Sequence, residues 1–139
     1  MIKPVIKGNS IAIPSDQEFL PDVDIFIEGI LRGFGADESI VADIAISVSE
    51  LVNNAILHGN KSISDKAVTV TISKGNGEVA ISVADQGGGF DPSGVENPID
   101  DANLLKEVGR GIFIVKSLMD KVDIDASDIG TTIRITKEI

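Results

Sequence analysis

The clearest pattern in the chain is a run of apolar residues at helical spacing between Glu38 and Gly59. Apolar positions that recur every three or four residues are typical of a helix that buries one face. Here they are Ile40, Val41, Ile44, Ala45, Val48, Leu51, Val52, Ala55 and Ile56. Asp37 is a candidate N-cap for this helix, and Gly59 is a natural stop. The pattern predicts a long core helix.

The residues before this helix predict a strand region and a first helix. Val5 to Ile13 is apolar but split by Gly8-Asn9, which predicts one or two short strands, or a hairpin. A break at Pro14-Ser15-Asp16 follows. An apolar stripe then predicts a helix from Pro21 or Asp22 to Phe34, with Gly35 as its C-terminal stop.

The second half of the chain alternates strand patterns with one more helix. Lys66 to Ser73 and Val79 to Ala84 alternate apolar and polar residues around Lys74-Gly75-Asn76-Gly77, which predicts a hairpin. Gly109-Arg110-Gly111 opens a helix predicted from Ile112 to Met119 or Asp120. Two final strands are predicted at Val122–Ala126 and Thr132–Thr136.

The order of these elements predicts the fold class. Strands that follow each other in sequence favour a mixed, mostly antiparallel sheet, and three helices can cover one of its faces. We therefore expect an α+β two-layer sandwich that forms a single domain over residues 1–139. Residues 86–108 have no periodicity and contain several Gly and Pro. A loop of this length is usually functional or mobile.

Composition narrows the function. The 139 residues are 42% apolar but only 4% aromatic, so the core must be aliphatic. A net charge of -10 disfavours direct binding of nucleic acid or an anionic membrane, and favours a partner with a basic surface. The absence of Cys excludes disulfides and thiolate metal sites. No apolar h-region or membrane-spanning run is evident, so we expect a cytoplasmic location.

Two short stretches carry candidate chemistry. Glu50 and Asn54 lie one turn apart on the long helix, where an Asn oxygen suits Mg²⁺ and a carboxylate can accept a proton. A polar helix edge with local hydrogen bonds is the alternative. Asp85 ends a strand before three glycines, Gly87 and Gly89 among them. Its carboxylate can accept from the amine of adenine, or the stretch is an ordinary glycine-rich turn.

Gly109-Arg110-Gly111 lies at a predicted helix start, where free N–H groups bind phosphate. Arg110 either contacts phosphate or is solvated. His58 is the only histidine, so it cannot build a histidine metal site, and its place near a helix end favours a capping role over a catalytic one.

Together these motifs resemble the nucleotide site of the GHKL ATPases, the superfamily of gyrase-type topoisomerases, MutL, large heat-shock chaperones and histidine kinases. Glu50-x-x-x-Asn54 resembles the N box, Asp85-x-Gly87-x-Gly89 the G1 box and Gly109-x-Gly111 the G2 box. Gly130-Thr131-Thr132 is similar to the last Gly-Thr element. Residues 49–60 and 109–122 further resemble the anti-sigma factor serine kinases, which are RsbW-like.

This resemblance implies the GHKL (Bergerat) ATP-binding fold, with ATP and Mg²⁺ as cofactors under a mobile lid over about residues 86–108. Asn54 would ligate Mg²⁺, Asp85 would hold adenine, and Gly109 and Gly111 would approach the phosphates. Gly87, Gly89, Arg110 and Thr131 would complete the nucleotide site. Glu50 would be the general base.

The resemblance also implies partners. Such kinases bind a sigma factor, phosphorylate a serine on an anti-anti-sigma (antagonist) protein, and are commonly homodimers. One departure from the kinase pattern is Glu107, where members can carry a basic residue; Lys106 or Arg110 can substitute for it. Two alternatives stay open: a non-catalytic ATP-binding regulatory module, and a histidine-kinase-type catalytic domain that acts in trans.

Overall fold

The computed structural model describes residues 2–87 and 109–139, and in it six strands form one sheet. The strands are β1 (Val5–Lys7), β2 (Ser10–Pro14), β3 (Ala67–Lys74), β4 (Glu78–Ala84), β5 (Lys121–Ser127) and β6 (Gly130–Glu138). Their order across the sheet is β1-β2-β3-β4-β6-β5, and each neighbouring pair is antiparallel. The predicted sheet is confirmed, although no parallel pair occurs among these strands.

In the described part of the chain, three α-helices accompany the sheet. They are α1 (Leu20–Gly33), α2 (Glu38–Asn54) and α3 (residues 109–118). A short 3-10 turn at Gln17–Phe19, which the sequence pattern did not indicate, leads into α1. Pro21 lies in the first turn of α1, and Gly35 has a φ of +80°, as expected for a glycine that stops a helix.

The N-terminus of α2 differs from the prediction in one respect. Asp37 occupies the N-cap position with extended backbone, but its side chain makes no capping hydrogen bond. At the other end, α-helical geometry stops at Asn54, and Ala55–Gly59 form a π-helical turn. The long predicted helix is therefore one continuous element with two kinds of hydrogen-bond geometry.

The core lies between the helices and one face of the sheet. Alternate side chains of β3 and β4 are buried there, while intervening residues such as Thr71 and Ser73 are exposed. The buried cluster is aliphatic, as the composition predicted. Its largest members include Ile13, Ile27, Leu31, Ile44, Leu51, Ile56, Ile72, Ile81 and Ile135. The helices thus lie on one face of the sheet, as expected for a two-layer sandwich.

The continuous helix over residues 38–59 is long and apolar enough, by length and composition alone, to cross a membrane. Of its most apolar window, 44% is buried inside the fold. A helix that packs its apolar stripe on a sheet meets the same criteria, so its length and composition are weak evidence for a membrane span.

Candidate functional site

The candidate site begins where the long helix changes its hydrogen-bond geometry. Rare π-turns within helices often mark functional sites, and the turn at Ala55–Gly59 directly follows Asn54. π-type hydrogen bonds span five residues, whereas the α-type bonds behind the 3.6-residue repeat span four. The regular 3.6-residue repeat therefore does not extend from Asn54 through His58.

Asp85 lies directly after β4, and the main chain holds one of its two carboxylate oxygens. Its Oδ1 accepts hydrogen bonds from the N–H groups of Gly87 and Thr131, each over 3.0 Å. The Asp85 N–H in turn donates to the Thr131 carbonyl over 2.9 Å. Within residues 2–87 and 109–139, Oδ2 makes no hydrogen bond. Of the two Asp85 oxygens, Oδ2 is therefore the one that no described residue occupies, and it can accept a hydrogen bond from a ligand.

Three glycines from separate parts of the chain converge on Asp85. A Cβ atom on Gly59 would come within 2.5 Å of Asp85 Cγ and closer still to Oδ2. A Cβ on Gly87 would collide with the Gly59 carbonyl, and one on Gly130 would collide with the Asp85 carbonyl. Gly130 also has a φ of +154°, which L side chains rarely adopt. The lack of side chains at these glycines lets the π-turn, the segment after β4 and the start of β6 pack closely around Asp85 and Gly59.

Glu50 and Asn54 come together with the first turn of α3. A Cβ atom on Gly111 would lie 2.8 Å from Asn54 Nδ2 and 3.2 Å from Glu50 Oε2. Both polar side chains are half-buried, and Gly111 itself is buried. The structure thus brings the helix start that the sequence singled out against the carboxylate and the carboxamide of α2.

Asn54 carries an unsatisfied polar group. Its Nδ2 atom is buried and has no hydrogen-bond partner among the residues that the structure describes. Leaving such a group unpaired costs about 1–3 kcal/mol, so each case in a folded protein needs an explanation. A ligand that binds beside Gly111 would supply one.

The other predicted site residues have less defined contacts with Asp85, Glu50 and Asn54, or lie outside the described residues. Gly109 and Arg110 begin α3 and are exposed, and a Cβ on Gly109 would meet nothing within 4 Å. Thr131 contributes through its main chain, as described above. Gly89, most of the predicted lid, Lys106 and Glu107 lie outside the described residues.

Comparison with known proteins identifies the family. The sequence profile of the histidine kinase-like ATPase domain matches residues 13–137. The chain belongs to this family. Among its relatives, the serine-protein kinase RsbW of Bacillus velezensis is 29% identical over 131 residues, covering 90% of this chain and 81% of that protein. Serine-protein kinase RsbW of Staphylococcus aureus is 28% identical over 134 residues, covering 91% and 84% respectively.

Solved structures share the fold. The RsbU and RsbW domains of Rv1364c from Mycobacterium tuberculosis align with a TM-score of 0.70 at 24% identity, over 99% of this chain and 32% of that chain. The histidine kinase domain of the Erythrobacter litoralis EL346 blue-light activated histidine kinase aligns with a TM-score of 0.56 at 19% identity, over 91% and 61%. This chain thus spans about a third of the first and under two thirds of the second.

A histidine kinase-like ATPase domain implies bound ATP, and the donors near Gly111 fit the metal that accompanies it. No group of three or more His, Cys, Asp or Glu that could hold a metal occurs in the described part of the chain. Glu50 and Asn54 offer two oxygen-bearing side chains there. Mg²⁺ commonly takes one or two protein oxygens and completes its shell with waters and phosphates. The residues fit that arrangement, and they do not fit an all-protein cage.

The sequence analysis did not predict one part of the site, a pair of buried polar side chains close to Asp85. Asn60 and Ser15 are 1% and 2% exposed, and Asn60 Nδ2 donates to Ser15 Oγ over 2.8 Å. Asn60 Oδ1 accepts from the N–H of Gln86, the residue after Asp85, over 2.7 Å. A polar residue directly after a helix stop is ordinary in a loop, so sequence alone gave no reason to expect Asn60 to be buried.

Proposed function

We propose that this chain is an ATP-dependent protein-serine kinase and an anti-sigma factor, which binds a sigma factor and phosphorylates a serine on its anti-anti-sigma antagonist. The observation that carries the proposal is the meeting of Glu50, Asn54 and Gly111. It brings a carboxylate that can accept a proton and a carboxamide oxygen that can bind a metal close to a helix start, which is suited to phosphate. The RsbW relatives are named serine-protein kinases, which supports the same chemistry.

At the other end of the site, Asp85 binds adenine. Its Oδ1 is already occupied by two main-chain N–H groups, so Oδ2 is the oxygen that accepts from the exocyclic amine. Gly59 packs closely beside this oxygen, and Gly87 packs against the Gly59 main chain, so neither residue adds a bulky side chain next to the base. Adenine and phosphates would then bind to opposite ends of one helical segment, from Glu50 to Gly59.

Glu50 is the general base of the transfer. It accepts the proton of the serine hydroxyl as the serine oxygen forms its bond to the γ-phosphorus. The bond from that phosphorus to the bridging oxygen breaks, and ADP leaves with the electron pair. Glu50 lies on a rigid helix rather than on a loop, which keeps the carboxylate in register with Asn54 one turn later.

Asn54 holds the metal through its side-chain oxygen, and the N–H groups at the start of α3 face the phosphates. Mg²⁺ held there would supply positive charge that offsets the negative charge of the phosphates during the transfer. Gly111 allows α3 to approach both side chains without steric conflict. Arg110, exposed in the first turn of α3, is the candidate for a direct phosphate contact.

The proposed partners are a sigma factor, a serine-bearing antagonist and a second copy of this chain, all in the cytoplasm. The net charge of -10 favours partners with basic surfaces and disfavours direct contact with nucleic acid or an anionic membrane. Capture of the sigma factor requires no chemistry, so binding and phosphorylation are separable activities of one chain.

The test compares two variants of α2. Glu50→Gln should keep nucleotide affinity but slow phosphate transfer by about 10²–10⁴, the usual effect of losing a general base. Asn54→Ala should weaken Mg·ATP binding itself, because it deletes a metal ligand. Nucleotide titration and transfer to the co-purified antagonist protein are measured side by side. Glu38→Gln, in the exposed first turn of the same helix, is the matched control and should change neither.

Each hypothesis gives a different result. Transfer to a serine that disappears in Glu50→Gln supports the kinase. Tight ATP binding without any transfer to the antagonist, together with a silent Glu50→Gln change, would leave only the non-catalytic regulatory module. Transfer to histidine instead would support a histidine-kinase-type domain that acts in trans.

A further inference from the structure

The main-chain pairing of β3 with β4 ends earlier than their register would allow. The last paired residues are Thr69 and Ala84, and continuing the register by two residues places Gln86 opposite Ala67. In a regular ladder these two residues would bond through their main chains. Instead, the Ala67 N–H donates to the Gln86 side-chain Oε1 over 2.7 Å, and the Ala67 carbonyl accepts from Asn60 Nδ2 over 3.0 Å.

The Asn60 carboxamide occupies the gap between the two strands. Its Oδ1 accepts from the Gln86 N–H over 2.7 Å, while its Nδ2 donates to the carbonyl of Ala67 and to the hydroxyl of Ser15. The side chain therefore stands in for a peptide group, hydrogen-bonded to the segment after β4 on one side and to Ala67 of β3 on the other. At 1% exposure such a group is stable only because these bonds are made.

The π-turn brings Asn60 to this position. The Asn60 N–H closes the turn by donating to the Ala55 carbonyl over 2.8 Å. Gly59, immediately before it, lies against the Asp85 carboxylate. The end of one helix thus carries both the residue that touches Asp85 and the residue that holds its neighbour Gln86.

We propose that Asn60 is a positioning residue for base recognition: by holding the chain after β4 apart from β3 at Gln86, it directs Oδ2 of Asp85 toward the nucleotide base. The inference rests on the proposed function. Asp85 Oδ1 accepts a hydrogen bond from Thr131 of β6 on one side, and on the other side the N–H of Gln86, the residue after Asp85, donates to Asn60. With both flanks fixed, Oδ2 faces an amine at C6 and repels a carbonyl there, so Asn60 sets the preference for adenine over hypoxanthine.

The test is the ratio of affinities for ATP and inosine triphosphate, which carries a carbonyl oxygen in place of the amino group. The wild type should prefer ATP. Asn60→Ala should reduce that preference by about tenfold to a hundredfold, the range for losing a hydrogen bond to a charged group. A ratio of affinities is unaffected by the fraction of unfolded protein, so a loss of stability alone does not change it.

Ser15→Ala is the matched control. Ser15 bonds the same carboxamide but belongs to the segment after β2, and its hydroxyl donates to the Lys66 carbonyl rather than to the Asp85–Gln86 segment. Its loss should lower the unfolding temperature and leave the ATP preference unchanged. Gln86→Ala provides a second, fold-safe variant because this side chain is exposed. It removes the acceptor of the Ala67 N–H, so it should reduce the preference in the same direction by a smaller factor.

The outcomes are distinct. If the folded Asn60→Ala and Gln86→Ala proteins keep the wild-type preference, the inference is overturned; if Asn60→Ala does not fold, Gln86→Ala decides. A wild type that binds no nucleotide refutes the proposed function and the effect on base preference with it. Amide exchange then still tests the positioning role: the Gln86 N–H should exchange faster in Asn60→Ala than in the wild type, and equal rates would contradict it.

Discussion

At the scale of single residues, Gly111 and Gly109 have different surroundings although they belong to one motif. A Cβ on Gly111 would press on Asn54 and Glu50, whereas one on Gly109 would meet open space. We expect Gly111→Ala to destabilise the nucleotide-free protein by about 1–3 kcal/mol, as overpacking does. Gly109→Ala should be neutral or stabilise by up to about 1 kcal/mol, because Ala favours helix. Urea unfolding measures both, and equal effects would contradict this geometry.

The exposed pair of Arg32 and Glu38 gives a prediction about pH. Arg32 Nε lies 2.9 Å from Glu38 Oε1, and this hydrogen bond, with the charge of Arg32, lowers the pKa of Glu38. The pKa of Glu38 is lower in the folded protein than in the unfolded chain. The stabilisation from this pair is therefore fully present at a pH above the unfolded pKa, and it is lost as the pH falls through the folded pKa. Arg32→Gln should raise the pKa of Glu38 toward its ordinary value in an NMR titration, with little effect on stability near pH 7.

At the scale of elements, β1 is the least protected strand. It forms an edge of the sheet, and its Val5 and Ile6 are 42% and 60% exposed. An open edge can pair with another strand, and we expect a second copy of this chain to do so. Ile6→Lys should shift sedimentation from dimer to monomer at tens of micromolar, a concentration that favours weak association. Ile129 is exposed in the turn before β6, so Ile129→Lys is the control and should leave the dimer intact. A wild-type protein that is already monomeric at this concentration would contradict the prediction.

The elements themselves were largely predictable. The apolar stripes of α1 and α2 and the alternation in β3 and β4 follow from burying one face, so a sequence read at the right period finds them. Most observed ends lie within a few residues of the predicted ones. The Glu50–Asn54 pair follows from the same helical period, since one turn is a local distance.

The parts that sequence could not predict depend on contacts between distant residues. Asn60 is buried only because the ends of β3 and β4 close around it, and no local pattern encodes that contact. The π-turn keeps the apolar pattern of a helix while changing its hydrogen bonds. The fit of Gly59 against Asp85 depends in the same way on how α2 meets β4.

At the scale of the whole molecule, binding of Mg·ATP should stabilise the fold. A ligand that binds only the native state adds about 2.7 kcal/mol when present at 100 times its Kd. We expect a higher unfolding temperature with saturating Mg·ATP. Asp85→Asn, which keeps Oδ1 for Gly87 and Thr131 but replaces the accepting Oδ2, should lose much of this shift. An unfolding temperature that does not change on addition of Mg·ATP would rule out the nucleotide site.

The positions of the glycines around Asp85 in the chain also determine how late in synthesis this site can form. Gly59, Gly87 and Gly130 are far apart in the chain, and the last of them opens β6. Contacts of such high sequence separation form late, and a growing chain releases its N-terminal part first. A nascent chain can therefore form α1 and α2 well before it can recognise a base. With the base bound at Asp85 as we propose, nucleotide would not act as an early template for folding, and its binding would report that assembly of the sheet is complete.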